Sequence, residues 1–417
     1  MICKSKFAQI FTCVILSFTG ANTLAQDSAS NGADSTDVVA APSTTFIDIM
    51  DADYLNGMGR ILVAGQHGTV GLVELTDNAA LLTLVEDVPN VDFTSLHTIS
   101  DREALLGSST GMLYKFDGEN VSEIAQLSEY DEPILDIASD GDSIWVVGGR
   151  GLIYRSKDMA NFEEVIIDEV TLPLMEFPGS FPADWYLGVS NLDTDTLKFT
   201  ASVGGQPAVE EEDYILYPDE GFIQFQKELD MEPAPTVATK FAPGPPFRKG
   251  DVSWNVVMLN QGRVTLAGEF GMILQSDDGG ETWLRRDTEI VPREPEPAYW
   301  MAGYQRGNEA WLTGAAGVNQ KSLDNGETWE DNPKPGREGI FGVILTQDGT
   351  PVISGAVGLI GTLKDDEWTL ADRTELKLLS WIKTPVELPN GKLLVLGGRG
   401  TAILVDNGSV SRVPLLK

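Results

Sequence analysis

From Phe46 onward the chain alternates short apolar runs with polar turns, and one phrase keeps returning: an apolar strand, a turn, then a second strand that ends in a glycine pair. No stretch between these runs spaces its apolar residues as an amphipathic helix would, so the pattern predicts strands throughout. The pairs are Gly65-Gln66-His67-Gly68, Ser108-Ser109-Thr110-Gly111, Gly148-Gly149-Arg150-Gly151, Gly268-Glu269-Phe270-Gly271, Gly314-Ala315-Ala316-Gly317, Gly355-Ala356-Val357-Gly358 and Gly397-Gly398-Arg399-Gly400. The closing glycines stand at 68, 111, 151, 271, 317, 358 and 400, at intervals of 43, 40, 120, 46, 41 and 42. A period near forty with about four short strands per unit is the signature of propeller blades. A solenoid would share the period, but short strands separated by turns favour a ring of twisted sheets.

The expected fold is therefore all-β: a seven-bladed β-propeller of four-stranded antiparallel blades over residues 46–415, with blades one and seven closing side by side. In the fourth unit the inner strand is expected at 252–259 and the next three at 263–267, 271–276 and 282–286. The long interval leaves residues 172–248 between blades three and four. Degenerate blades would also fit the spacing, but no glycine pair recurs at the expected place, which favours an insertion. It carries Pro-rich Phe177-Pro178-Gly179-Ser180-Phe181-Pro182, the acidic run Glu210-Glu211-Glu212-Asp213, and two β segments, 196–203 and 214–226, read as an extended hairpin.

The first 25 residues break the pattern. Lys4 and Lys6 precede the apolar run 10–18, and Thr23-Leu24-Ala25 supplies small residues for cleavage after Ala25, which is the layout of a secretory signal peptide. Residues 26–45, rich in Ser, Ala, Asp and Thr, read as a flexible leader. A periplasmic or secreted protein is expected, with no membrane insertion, since no later run approaches the ~20 apolar residues of a spanning helix. Both cysteines, Cys3 and Cys13, lie in the signal, so the mature chain has no disulfide or thiolate chemistry. Loss of Lys4 and Lys6 with the signal takes the formal charge from −34 to −36. So acidic a surface repels phosphate backbones and anionic headgroups, which argues against nucleic-acid and membrane-surface partners.

Two stretches match the Asp-box pattern in full: Ser276-x-Asp278-x-Gly280-x-Thr282-Trp283 and Ser322-x-Asp324-x-Gly326-x-Thr328-Trp329, with Ser156-x-Asp158 as a worn copy. A carboxylate beside a tight hairpin accepts bonds from turn amides, the glycine takes a left-handed conformation, and the Trp packs between sheets, so a structural role is expected for all of these residues. The histidines, His67 and His97, offer no metal-binding spacing and no Ser/His/Asp arrangement, and each Gly-x-x-Gly belongs to a β-turn, so no metal or cofactor is expected.

The phrase running from Leu266 to Trp283, with the seven units and the signal peptide, resembles the bacterial relatives of the photosystem II stability and assembly factor. That resemblance implies a non-enzymatic assembly or accessory factor whose basic patch binds a partner. More distantly, Asp boxes are similar to those of sialidases, which need arginines, a Tyr/Glu pair and an acid converging on one mouth of the propeller. No local motif here identifies such a set.

What remains is surface geometry. The glycine-turn residues Gln66, His67, Arg150, Glu269, Phe270 and Arg399 are expected to rim one mouth, overhung by the insertion. The reading is a monomeric, exported binding or assembly factor for an envelope protein or membrane complex, such as a transporter. The alternatives are a sialidase-like glycoside hydrolase and a carbohydrate binder using Trp185 and Tyr186 of the insertion.

Overall fold

The computed structural model describes residues 46–179 and 184–417. The expected signal peptide and leader, and Ser180-Phe181-Pro182 of the insertion, lie outside the described residues. Seven four-stranded antiparallel blades occupy 49–84, 93–126, 134–164, 254–286, 300–331, 340–370 and 382–416, and among the described residues there is no α-helix. Inner strands pack in chain order around the ring, and the seventh returns to the first. This is a seven-bladed β-propeller. It closes through its outermost strands, where Leu415 and Leu416 of blade 7 pair in parallel with Ala80 and Leu81 of blade 1.

The apolar runs seen in sequence are the second strands of the blades. Ile61 to Gly65, Ala104 to Ser108, Ile144 to Gly148 and their counterparts are buried at every position. Each is flanked by strands of its own blade and covered on both faces by neighbouring blades, so it reads as continuous hydrophobicity and not as alternation. The two glycines of a pair answer different demands. A Cβ at Gly268 would lie 2.1 Å from the Ser253 carbonyl oxygen, so this position admits the inner strand only without a side chain. Gly271, by contrast, sits at φ 63°. In blade 4 the inner strand runs Trp254–Asn260, beginning later than the expected 252, because the Val252 carbonyl instead accepts the Gly151 N–H of blade 3.

Residues between blades 3 and 4 are an insertion, because those blades touch directly. Asp136 of blade 3 accepts the Val257 N–H of blade 4 at 2.9 Å, and the Trp145 and Trp283 rings meet edge-on at 6.2 Å. Val170–Glu176 joins the outer edge of blade 4, pairing Thr171 with Leu284 in parallel, and Thr236–Phe241 and then Lys198–Thr200 extend that sheet to seven strands. A separate sheet orders Asp184–Tyr186, Phe222–Phe225 and Tyr214–Tyr217. The expected single hairpin is corrected here: 214–225 does fold back on itself, but Lys198–Thr200 pairs with Thr236–Phe241. Alternating apolar residues mark a strand without naming its partner. Phe177 fills the centre, edge-on to Trp185, Phe199 and Phe225 at 5.9, 5.7 and 6.0 Å.

Candidate functional site

Each glycine pair closes a four-residue turn. In blade 4 the Met272 N–H donates to the Glu269 carbonyl at 3.1 Å, while Phe270 (φ 56°) and Gly271 both take the left-handed conformation. His67, Arg150, Ala316, Val357 and Arg399 occupy the same left-handed position in other blades. That conformation costs an L-residue about 1–2 kcal/mol. The turn amides fasten neighbouring blades: Gly271 donates to Ala298, Gly68 to Val91, Gly151 to Val252 and Gly400 to Ile47, at 2.6 to 2.9 Å. With the backbone so engaged, the left-handed residue's side chain is exposed at His67, Arg150, Ala316, Val357 and Arg399, whereas Phe270 is half-buried against the core beside the insertion.

Strand directions alternate within a blade, so the glycine turns share one face with the connections between blades, and the Ser/Asp/Trp turns lie on the opposite face. All six expected rim residues are on the glycine-turn face. Arg150 is exposed and 4.0 Å from Glu132; Arg399 is exposed, its N–H donating to the Asp48 carboxylate at 2.7 Å. His67 is exposed, its N–H bonded to Asp92 at 2.8 Å. Gln66, Glu269 and Phe270 are half-buried, and the Glu269 carboxylate is used locally to accept the Ser253 N–H at 2.9 Å. Arg150 and Arg399 belong to blades 3 and 7, with blades 1 and 2 between them, so they are not gathered into one site.

On the other face, Asp278 accepts the Glu281 and Thr282 N–H groups at 3.1 and 2.9 Å and the Thr282 hydroxyl at 2.6 Å. The hydroxyl bond and the Thr282 amide hold the Asp278 carboxyl down at about 2. Ser276 Oγ accepts the Gly280 N–H at 2.8 Å, and Trp283 Nε1 donates to the Gly280 carbonyl at 3.1 Å. Ser322, Asp324, Gly326, Thr328 and Trp329 repeat this arrangement, and Asp158 repeats its carboxylate half with the Ala160 and Asn161 amides. Each full turn also ties its blade to the one before: Arg155 of blade 3 pairs with Glu281 at 3.0 Å, and Arg263 of blade 4 with Glu327 at 3.0 Å.

The axis of the ring holds residues that motif searching does not find. Every inner strand has a bulge one residue after its start, at Met50, Thr94, Leu135, Asn255, Met301, Phe341 and Lys383, and all seven side chains are half-buried around the channel. A cavity of about 130 Å³ is lined by five of them, Leu135, Asn255, Met301, Phe341 and Lys383, and also by Asp51 and Asp136. Asp51 accepts the Leu96 N–H at 2.8 Å and the Thr384 hydroxyl at 3.0 Å, joining blades 7, 1 and 2. His97 accepts the Ser139 N–H at 3.0 Å, joining blades 2 and 3. Enclosure by seven sheets raises the Asp51 carboxyl against the opposing charge of Lys383, pushes Asp136 up to about 7, and lowers His97 despite Asp53 and Asp51 nearby. Isolated polar residues at two-residue spacing in otherwise apolar inner strands, as in Asp51/Asp53, were the available signal. The axial cavity contains no arginine, and so does not supply the cluster a sialidase needs. Among the described residues no group of three His, Cys, Asp or Glu side chains is placed to hold a metal ion, and no helix is long and apolar enough to cross a membrane.

A second cavity, about 310 Å³, opens where the insertion meets blade 4. Tyr186 and Val291 exchange both backbone bonds, 2.8 and 2.9 Å, clamping the insertion's three-stranded sheet to the connection that leaves blade 4. Tyr186 and Phe222 form one wall, and Phe270 of the glycine turn with Pro295 and Pro297 forms another. The expectation that Trp185 and Tyr186 present an exposed sugar platform is corrected for Trp185, which is 3% exposed in the core; neighbours on a strand point to opposite sides, so only Tyr186 faces the cleft.

No protein-family pattern matches the chain, and no curated protein matches it in sequence. Solved structures do resemble it. One described as YCF48 bound to D1 peptide aligns with TM-score 0.52 at 13% identity, covering 88% of this chain and 95% of that one. YCF48 from Cyanidioschyzon merolae gives 0.51 at 14% (88% and 98%), and the WD40 β-propeller domain of Doa1 gives 0.51 at 11% (88% and 94%). At such identities the likeness is one of fold.

Proposed function

We propose that this chain is an exported, non-enzymatic docking propeller: an assembly or accessory factor that holds an envelope protein, or a membrane complex such as a transporter, on its glycine-turn face. The observation that carries this reading is where the exposed apolar side chains fall. Phe46, Tyr130, Phe247, Tyr299, Val357 and Leu379 are all exposed, four of them by 78% or more, and each lies in a glycine turn or at a connection into an inner strand. Of the six others among the described residues, Leu323 lies on the opposite face, Leu81 and Leu370 on outer strands, Ile166 just after the outer strand of blade 3, and Leu174 and Val209 in the insertion. Apolar groups collected on one face and left in water mark a protein contact surface. Left-handed strain at Val357 fits the same purpose, since it holds an apolar side chain out in water at an energetic cost.

The fold shared with YCF48, one structure of which is described with a D1 peptide bound, supports a propeller used for protein binding, and it fits the sequence resemblance to assembly factors. Export, to the periplasm or beyond, rests on the signal-like residues 1–25. The test is affinity capture from envelope extract with wild type, Phe247→Ser/Leu379→Ser, Arg150→Glu/Arg399→Glu, and Leu323→Ser as a control on the other face. Loss of the same partner from the first two variants with its retention by the control is expected. Unchanged capture by both glycine-face variants would sink the reading.

A further inference from the structure

The cleft beside Phe270 has a more specific chemistry than the face around it. Tyr217, Phe222 and Tyr186 form a three-ring stack, with centroids 5.0 and 4.8 Å apart and both interplanar angles 24°. The stack is built from directly paired strand positions, Tyr217 with Phe222 and Phe222 with Tyr186, so its rings are ordered before anything binds. Prolines line both banks and add walls with little conformational freedom to lose. The lining includes two carboxylates, Glu220 and Glu294, and no lysine or arginine. Neither carboxylate forms an ion pair within 4.0 Å among the described residues, although fourteen such pairs occur elsewhere, so the negative charge at the rim is not neutralised locally. Glu294 and Asp184 also act, after burial, to raise the Tyr186 phenol, which reports the sign of the field inside the cleft.

A preformed aromatic surface edged by free carboxylates recognises a cation with an apolar stem. Aromatic faces attract guanidinium groups, and arginine stacks on them better than lysine. A volume near 310 Å³ holds a side chain with a few flanking residues and not a folded domain. We propose that this cleft receives an arginine-bearing extended segment of the docked protein, with the guanidinium on the outer face of Tyr186, the ring that ends the stack, and within reach of Glu220 and Glu294. This rests on the docking reading, because Phe247 and Tyr299 lie on the same face and offer the rest of the segment somewhere to continue. The strong net negative charge of the chain draws such basic segments toward it.

The test uses the full mature chain and two dye-labelled heptapeptide pools that share a central arginine or its neutral isostere citrulline, with the other positions mixed among Ala, Gly, Leu and Pro. Fluorescence anisotropy should show the arginine pool binding at least fivefold more tightly than the citrulline pool. Glu220→Gln/Glu294→Gln, checked for an unchanged near-UV circular dichroism spectrum, should abolish that difference and leave citrulline binding as it was. Equal binding of the pools, binding of neither, or a preference that survives the double substitution overturns the proposal. A chito-oligosaccharide that occupies the cleft while the arginine pool does not would assign it to sugar instead. Should the pools fail while Phe247→Ser/Leu379→Ser still loses its partner in the capture experiment, the peptide assignment falls and the docking reading stands.

Discussion

Replacing Gly280 with alanine tests how blade 4 is stapled to blade 3. Gly280 sits at φ 93°, and a Cβ built there lies 2.7 Å from Cη2 of Trp145, well inside van der Waals contact, and 3.5 Å from Cζ2 of Trp283. Trp145 is 2% exposed and held edge-on against Trp283, so it has no free space into which to swing. Gly279, its neighbour, is also left-handed at φ 75°, yet a Cβ there meets only the far end of Arg155 at 3.9 Å. Gly279→Ala should therefore lose about 1–2 kcal/mol for conformation alone. Gly280→Ala adds about 1–3 kcal/mol of overpacking to that, for roughly 2–5 kcal/mol in all. Urea unfolding followed by tryptophan fluorescence resolves the difference. In a Trp145→Phe background, where the clashing edge of the ring is gone, the Gly280→Ala loss should fall toward that of Gly279→Ala, a coupling of about 1–2 kcal/mol. Equal losses for the two alanines, or no coupling to position 145, would refute the packing described for this turn.

Other expectations follow from the axis and the insertion. Asp136 keeps its proton in the folded protein up to about pH 7 but releases it near 3.9 when unfolded, so its contribution is full below about pH 4 and declines as pH rises to 7, by at most about 1.4 kcal/mol per unit. Unfolding free energies of wild type and Asp136→Asn should accordingly shift in favour of the variant between pH 5 and pH 8, and a constant difference would count against this assignment. Replacing residues 172–248 by a short Gly/Ser linker should lower stability, since it exposes Val170 and the outer edge of blade 4, but leave one cooperative transition, because Asp136 to Val257 and Trp145 to Trp283 join blades 3 and 4 without it. Loss of cooperativity on scanning calorimetry would contradict a ring that is complete without the insertion.

The number of blades and their register were legible because each depends on contacts within a few residues. A second strand buried on both sides must be apolar, its terminal glycine must admit a neighbouring carbonyl, and the next glycine must turn at positive φ; these demands recur every forty residues or so and leave the same marks in six of the seven blades, blade 2 carrying Ser108 in place of the first glycine. The turns around Asp278 and Asp324 were equally readable, since their hydrogen bonds span at most four residues. Tertiary structure alone decided which strand Lys198–Thr200 would join, that Trp185 would be buried while Tyr186 faced a cleft, and that Asp51, His97, Asp136 and Lys383, far apart in sequence, would meet on one axis. Alternation specifies a face for a side chain but not the chain that covers it, and the energy of enclosing a carboxylate exists only once seven sheets surround it. The glycine turn at Glu269-Phe270 belongs to both accounts: its conformation is written in four residues, whereas the cleft that gives Phe270 its surroundings is made by an insertion ending some twenty residues earlier.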